Sequence, residues 1–535
     1  MSALSYRRAL VVLVALFGSF LVLWSVLTPA FRAPDEPQHF NSVMRLATGG
    51  GWPAPGEAFV SDATLIATRE AGFTRPDQPI SLRTTSEIPR GILRSWGLDF
   101  TEIVPLPPEE RSVLDHTADL QDDVPATVDQ MSQHPPLYYA VAAGLVRAVG
   151  ALEWRWDQQL LLLRLFNCLI AVSAIPIVAA IALRMTDSRA VALAAAAGVV
   201  GAPQLAHISS AVTNDTLTTT IGLALTLLAV RALTGRHSYG LLVAIGTTLG
   251  LGLLAKAFLL GAVPMVTLAL LVRTPHNPRF GRRVVSVALV GLISLAVGGW
   301  WWLRNLVLFG AVQPTARGIR TVDWGEPDPV AYFSEALRRI NRSFWGNFGW
   351  LEIPIPDPVT NTLGIALIGL AIASIVVRSR IRVSLAILLT FPLGALLIVL
   401  SGTWTRHVAS GSMAGLQGRY LFSALGALLC AAAFAATVIL ARRARTMARF
   451  LPPAATAAAL AFAAYGLVRA FQAFYQPWDE SALEALLRWA SWSPLPGAVI
   501  VLLMTTPCLL GTLALYTLWQ AARAHEGSPI PSEAP

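Results

Sequence analysis

The stretch ALVVLVALFGSFLVLWSVLT, residues 9–28, decides the class of this protein, because it runs for twenty residues without a charge. A helix rises about 1.5 Å per residue, so this run spans the roughly 30 Å hydrocarbon core of a bilayer. Arg7 and Arg8 flank it, and no small-residue cleavage site follows, so it reads as a retained anchor and not a signal peptide. Similar runs recur along the chain, mean hydropathy is +0.58, and 55% of residues are hydrophobic against 13% charged. The class is therefore an all-α polytopic membrane protein, since lipid offers no partner to an unpaired backbone group.

Further spans are expected at 160–183, 190–206, 217–232, 241–254, 257–272, 284–309, 363–377, 383–400, 421–440, 454–474 and 497–520. With the first, that makes about 12 in one membrane domain covering 1–535. The formal charge of +9 comes from arginines in the short loops, at Arg184, Arg189, Arg231, Arg236, 273–283, 378–382 and 442–449. By the positive-inside rule these loops are cytoplasmic, so the charge reports topology and not nucleic-acid binding. Cys168, Cys430 and Cys508 fall within apolar runs, which leaves neither a disulfide framework nor a cysteine metal site.

Two large outer loops follow from that topology, 29–159 and 310–358. The first is polar and proline-rich, and it holds a short apolar stretch near 135–150. If this stretch crossed, the basic loops after it would lie outside; it is therefore expected to lie at the interface, with Tyr138 and Tyr139 at headgroup level. An elaborate outer face with plain inner loops places the work outside, at the periplasmic or extracellular face of the cell membrane.

The polar residues on that side carry the chemistry. Arg32-Ala33-Pro34-Asp35-Glu36-Pro37-Gln38-His39-Phe40 sets two carboxylates and a histidine where the first span ends. Read alone it is a hydrated turn. Asp215 opens a span from the same side, where it can cap the helix. Lys256 is the only lysine in the chain and sits between two apolar runs, where an ammonium is costly without a partner; a phosphate is the favoured partner, one of the acids the other, and the plain reading is a lysine snorkelling to the headgroups. Arg304 follows three tryptophans, and Arg419 lies in Gln417-Gly418-Arg419-Tyr420; guanidinium groups bind phosphate oxygens in pairs, although an interfacial anchor is the plainer role for Arg304. Asn347 lies in the aromatic, glycine-rich run 343–351, suited to a sugar face or a lipid. His134 returns the chain to the membrane surface. Asp35, His39 and His134 are types that hold a divalent metal, yet no ligand pair has a metal-motif spacing, and no other cofactor is implied.

Taken in order, Pro34-Asp35-Glu36-Pro37-Gln38-His39-Phe40, His134-Pro135-Pro136-Leu137-Tyr138-Tyr139, Arg164-Leu165-Phe166-Asn167, Asn214-Asp215, Lys256, Arg304-Asn305, Phe348-Gly349-Trp350 and Gln417-Gly418-Arg419-Tyr420 resemble the GT-C superfamily of integral-membrane glycosyltransferases, and within it the bacterial branch called domain of unknown function 2142. The resemblance implies a GT-C-like bundle with amphipathic helices at the outer face. It implies a sugar donor on polyprenyl phosphate, an envelope glycan, lipid or protein as acceptor, and inversion at the anomeric carbon. Asp35 would be the base with Glu36 its rival, and Asp215 would orient the acceptor. Lys256 and Arg419 would hold the donor phosphate, with His39, His134, Arg304 and Asn347 as further donor contacts. A transporter or flippase of lipid-linked sugars is the alternative; it calls for charges near the bilayer midplane and broken helices in matched halves.

Overall fold

Ser2 starts the first helix by accepting the Ser5 N–H on its Oγ at 3.1 Å, and α1 (Ala3–Leu27) then runs 25 residues. The computed structural model describes residues 2–73, 105–116, 127–277, 279–316, 324–444, 446–476 and 480–523. Parts of the two long loops, at 74–104, 117–126 and 317–323, lie outside the described residues.

The chain is a multi-pass membrane protein. Among the described residues, nine helices are long and apolar enough to cross a membrane. A tenth is formed if α7 (Arg189–Val200) and α8 (Pro203–Ser209), bent by 63° at their junction, count as one broken span. Every span expected from sequence is helical, but α10 (Tyr239–Ala255) and the Ala257–Leu271 pair fall short of spanning length. Their brevity traces to Lys256, one extended residue at φ −166°, ψ 146°, which ends α10 and precedes a tight 3-10 stretch, Ala257–Ala262, leading into α11 (Val263–Leu271).

The other spans are the near-continuous pair α5 (Trp156–Ala171) and α6 (Ala174–Thr186), then α9 (Asp215–Thr234), α12 and α13 (Phe280–Ser294 and Trp300–Phe309), α15 (Asp357–Val376), α16 (Arg382–Ser410), α17 (Leu425–Arg443), α18 (Leu451–Tyr475) and α20 (Gly497–Arg523). A central apolar core links α1, α6, α7, α9 and α17. Leu292, Val307, Ile365, Ile368 and Leu509 stay exposed on outer helices, as side chains solvated by lipid do.

Small residues let the site-bearing segments approach. Gly222 of α9 lies against Ser423 and Gly261 against Gly394, and a Cβ at either position would collide with the facing backbone. These contacts join α9 to the 3-10 stretch Gly418–Ala424, and the chain just after Lys256 to α16.

The first loop folds on its own apolar cluster, built by Phe31, Phe40, Trp156 and α2 (Glu36–Ala47), α3 (Asp62–Glu70) and α4 (Leu137–Ala148). Tyr138 and Tyr139 face protein and not lipid: both are 0% exposed inside this cluster, where Tyr139 OH bonds His39 Nδ1 at 2.9 Å and Tyr138 OH accepts from Asn167 Nδ2 at 3.1 Å. A short apolar run fixes that a helix seeks burial, not whether lipid or protein supplies it. In the second loop, α14 (Pro329–Trp345) leads to a two-residue hairpin pairing Asn347–Phe348 with Ile353–Pro354, and α19 (Ala482–Trp492) precedes α20.

Candidate active site

Asp35 stands at the N-cap of α2 in the left-handed region, at φ 61° and ψ 12°. Aspartate and asparagine tolerate this conformation far better than branched residues do. Its chain neighbours are buried, yet the Asp35 side chain keeps 25% of its surface. The opposite face of α2 is anchored: Asn41 Nδ2 and Ser42 Oγ donate to Asp129 Oδ2 at 2.7 and 2.8 Å. This anchor places the next residue, Gln130, whose Nε2 donates to Asp35 Oδ1 at 3.0 Å.

Asp215 does not cap its helix. Asn214 is the N-cap, with no side-chain capping bond, and the Asp215 carboxylate turns to two cations instead. Lys256 Nζ donates to Asp215 Oδ1 at 2.5 Å and to Asn214 Oδ1 at 3.1 Å. Arg419 bridges both acids: its Nη2 donates to Asp35 Oδ2 at 2.9 Å, and its Nε lies 3.2 Å from Asp215 Oδ2, an ion pair too oblique for a hydrogen bond. Four segments far apart in sequence thus form one chain of charges, Asp35–Arg419–Asp215–Lys256. Two carboxylates balance two cations, which makes burial of Arg419, Asp215 and Lys256 tolerable. The Lys256 ammonium also lies 5.7 and 5.1 Å from the rings of Phe258 and Tyr420, which stack at 4.3 Å.

Donor capacity is left over. Arg419 Nη1 and Asn214 Nδ2 are buried without a hydrogen-bond partner, as is His134 Nδ1. Buried polar groups are nearly always paired, so a cluster of spare donors suits an acceptor-rich ligand such as a phosphate.

Glu36 differs from its neighbour in every respect. It is 0% exposed, and its two oxygens accept from Arg164 Nε at 2.8 Å, Arg164 Nη2 at 2.6 Å and the Val212 N–H at 3.0 Å. His39 and His134 lie beside the charge chain. Burial, reinforced by the Lys256 charge, holds the His39 imidazole well below its usual range and pushes His134 down to about 3, so both are neutral at pH 7.

A family defined as predicted membrane proteins, DUF2142, matches residues 17–429 of the chain. The chain belongs to the DUF2142 family. No curated protein matches it. Among solved structures, the crystal structure of ArnT from Cupriavidus metallidurans bound to undecaprenyl phosphate is similar, with a TM-score of 0.46 and 14% identity over 98% of this chain and 79% of that one. ArnT from the same organism in the apo state has a TM-score of 0.37 and 17% identity over 74% and 68%.

In this DUF2142 protein not every expected residue converges. Arg304 donates to Asn305 Oδ1 at 3.2 Å and lies over the Trp301 and Phe309 rings, an anchor's contacts, and no hydrogen bond or ion pair joins it to the four charges. Asn347 donates its backbone N–H to Gln204 Oε1 at 2.7 Å, on the hairpin beside α8. Among the described residues no group of three His, Cys, Asp or Glu is placed to hold a metal; Arg419 and Gln130 occupy Asp35, and Tyr139 occupies His39. Gln130 and Asn214 touch the charge chain and were not expected from sequence. Asn214 carried a signal, its place beside Asp215, whereas nothing marks Gln130 in a polar loop.

Proposed function

We propose that this DUF2142 protein is a glycosyltransferase that moves a sugar from a polyprenyl-phosphate donor to an envelope acceptor at the outer face of the cell membrane, with inversion. The observation that carries this reading is the pairing of one partly open carboxylate, Asp35, with buried Arg419, which retains a spare donor and is linked through Asp215 to buried Lys256. The resemblance of the ordered motifs supports the donor class, and the arginine-rich loops at the far ends of α9, α15 and α17 support the outward orientation.

Asp35 takes the proton of the acceptor hydroxyl as its oxygen attacks the sugar's anomeric carbon from the side opposite the phosphate. The bond from that carbon to the phosphate oxygen breaks, and its electron pair leaves with the phosphate. Arg419 and Lys256 stabilise the charge that gathers there, in a setting from which water is largely excluded. Asp215 keeps the two cations in register, and neutral His39 and His134 offer hydrogen bonds to sugar hydroxyls. Glu36, fully buried and held by three bonds from Arg164 and Val212, has no open face to offer an acceptor hydroxyl.

The test is transfer from radiolabelled polyprenyl-phosphate sugars to envelope acceptor by purified protein in lipid. Asp35→Asn is expected to lower the rate by at least about a hundredfold, in line with loss of a general base, and Asp215→Asn to lower it severely as well. Parental transfer by both variants would sink the assignment.

A further inference from the structure

Arg164 and Asn167 sit three residues apart on α5, one turn of the same helix face, and neither touches the four charges. Their bonds reach both segments that carry the acids. Besides its two bonds to Glu36, Arg164 donates through Nη1 to the carbonyls of Ser25 and Thr28 at 2.8 and 2.7 Å, and through Nη2 to that of Pro29 at 3.0 Å. All its N–H groups point at acceptors, and the residue is 4% exposed. These acceptors are the end of α1 and the residue next to Asp35. Glu36 passes the connection on, because Val212, three residues before Asp215, donates its N–H to Glu36 Oε1.

Asn167 holds the same stretch from below. Its Nδ2 donates to the carbonyls of Ala211 and of Thr213, the latter at 3.3 Å, and to Tyr138 OH at 3.1 Å. Three acceptors around that one nitrogen fix which end of the amide is which. Residues 25–29, 36 and 211–213 are thus tied to two side chains on one rigid element, and Asp35 and Asp215 are each next to, or two residues from, a tied position.

We propose that Arg164 and Asn167 are positioning residues that set the separation of the Asp35 and Asp215 carboxylates, the gap that Arg419 spans. A buried ion pair is weak evidence of a contribution to stability, since well-packed apolar replacements are often as stable. A pair kept for geometry has a different signature: replaced by apolar residues, it leaves the protein folded and the site misplaced. An error of about 1 Å in a reacting geometry costs on the order of a hundredfold in rate. The inference rests on the transferase reading for its kinetic arm only.

The test compares the parent with Arg164→Met/Glu36→Met and with Asn167→Leu. Amide hydrogen exchange is measured at 28–40 and 210–216, together with thermal unfolding, binding of polyprenyl phosphate and steady-state transfer. The expected result is a protein that still unfolds cooperatively, with Tm lowered in the double variant because the carbonyls of Ser25, Thr28 and Pro29 lose their donor, faster exchange in both segments at once, including the Val212 amide, and kcat down at least tenfold with KM for the donor within about threefold. Restoring arginine and glutamate in exchanged positions, Arg164→Glu/Glu36→Arg, is expected to recover protection only partly, because the carbonyls of Ser25, Thr28 and Pro29 lose their donor. A folded double variant with parental exchange in both segments, or with parental kcat, overturns the proposal. If the parent itself transfers no sugar, the transferase reading fails and exchange alone decides the positioning role.

Discussion

The left-handed backbone at Asp35 makes the choice of substitution decisive. Asparagine suits φ 61° and copies the shape of the carboxylate, so Asp35→Asn should unfold at the parental temperature while losing transfer. A β-branched residue adds roughly 1–2 kcal/mol of backbone strain there, so Asp35→Val is expected to lower Tm as well, and equal Tm values for the two variants would contradict the strained geometry. The histidines make a second case. The unfolded chain protonates histidine near pH 6.5, whereas His134 is pushed down to about 3 in the fold and His39 is also well below its usual range, both first by burial. Between those limits the unfolded state binds more protons, so their stabilising effect is complete above about pH 6.5 and is lost as pH falls toward 3. Asp129 and Glu352, whose carboxyls burial pushes up, act in the opposite sense. In His134→Gln the fall of Tm on acidification should therefore be shallower than in the parent; an unchanged slope counts against a buried neutral His134.

At the level of elements, the approach of α9 to the 3-10 stretch holding Arg419 depends on Gly222, which has no room for a side chain beside Ser423. Overpacking of this kind costs about 1–3 kcal/mol, so Gly222→Val should lower Tm and transfer together, and adding Ser423→Gly should not restore the parental values, because the nearest clash is with the Ser423 backbone oxygen. How much of this was legible varies by element. Apolar length fixed the helices, because lipid imposes a threshold that sequence displays directly. Lys256 was visible as a charge between apolar runs, but the favoured partner was a phosphate, and the fold pairs it with Asp215, the acid among the alternatives. The protein partners of Tyr138 and Tyr139 were not legible, because amphipathic rings suit an interface and a polar pocket equally well. Asp215 suggested a cap, since the local rule for aspartate at a helix start carries no word of a cation 41 residues on. Arg164 and Asn167 sat in a quoted motif without a role: their acceptors are backbone carbonyls, which no side-chain pattern announces.

Over the whole molecule, charge is sorted by end. The arginine-rich loops lie at one end of the bundle and the balanced set of two acids and two bases at the other, so the +9 excess is held away from the site. Within that end, α5, α9 and the glycine contacts hold the carboxylates in place. The singular lysine has one more consequence. In a chain whose other basic residues are arginine and histidine, Lys256 carries the only side-chain amine, it is 5% exposed, and it is clasped by Asp215. An amine-acylating reagent therefore has a single internal target, and a lysine-specific protease a single bond to cut, so one peptide junction reports whether the clasp is open. Acylation at Lys256 should quicken in Asp215→Asn and slow when polyprenyl phosphate is bound, which would turn the protein's scarcest residue into a built-in occupancy gauge requiring no knowledge of the sugar.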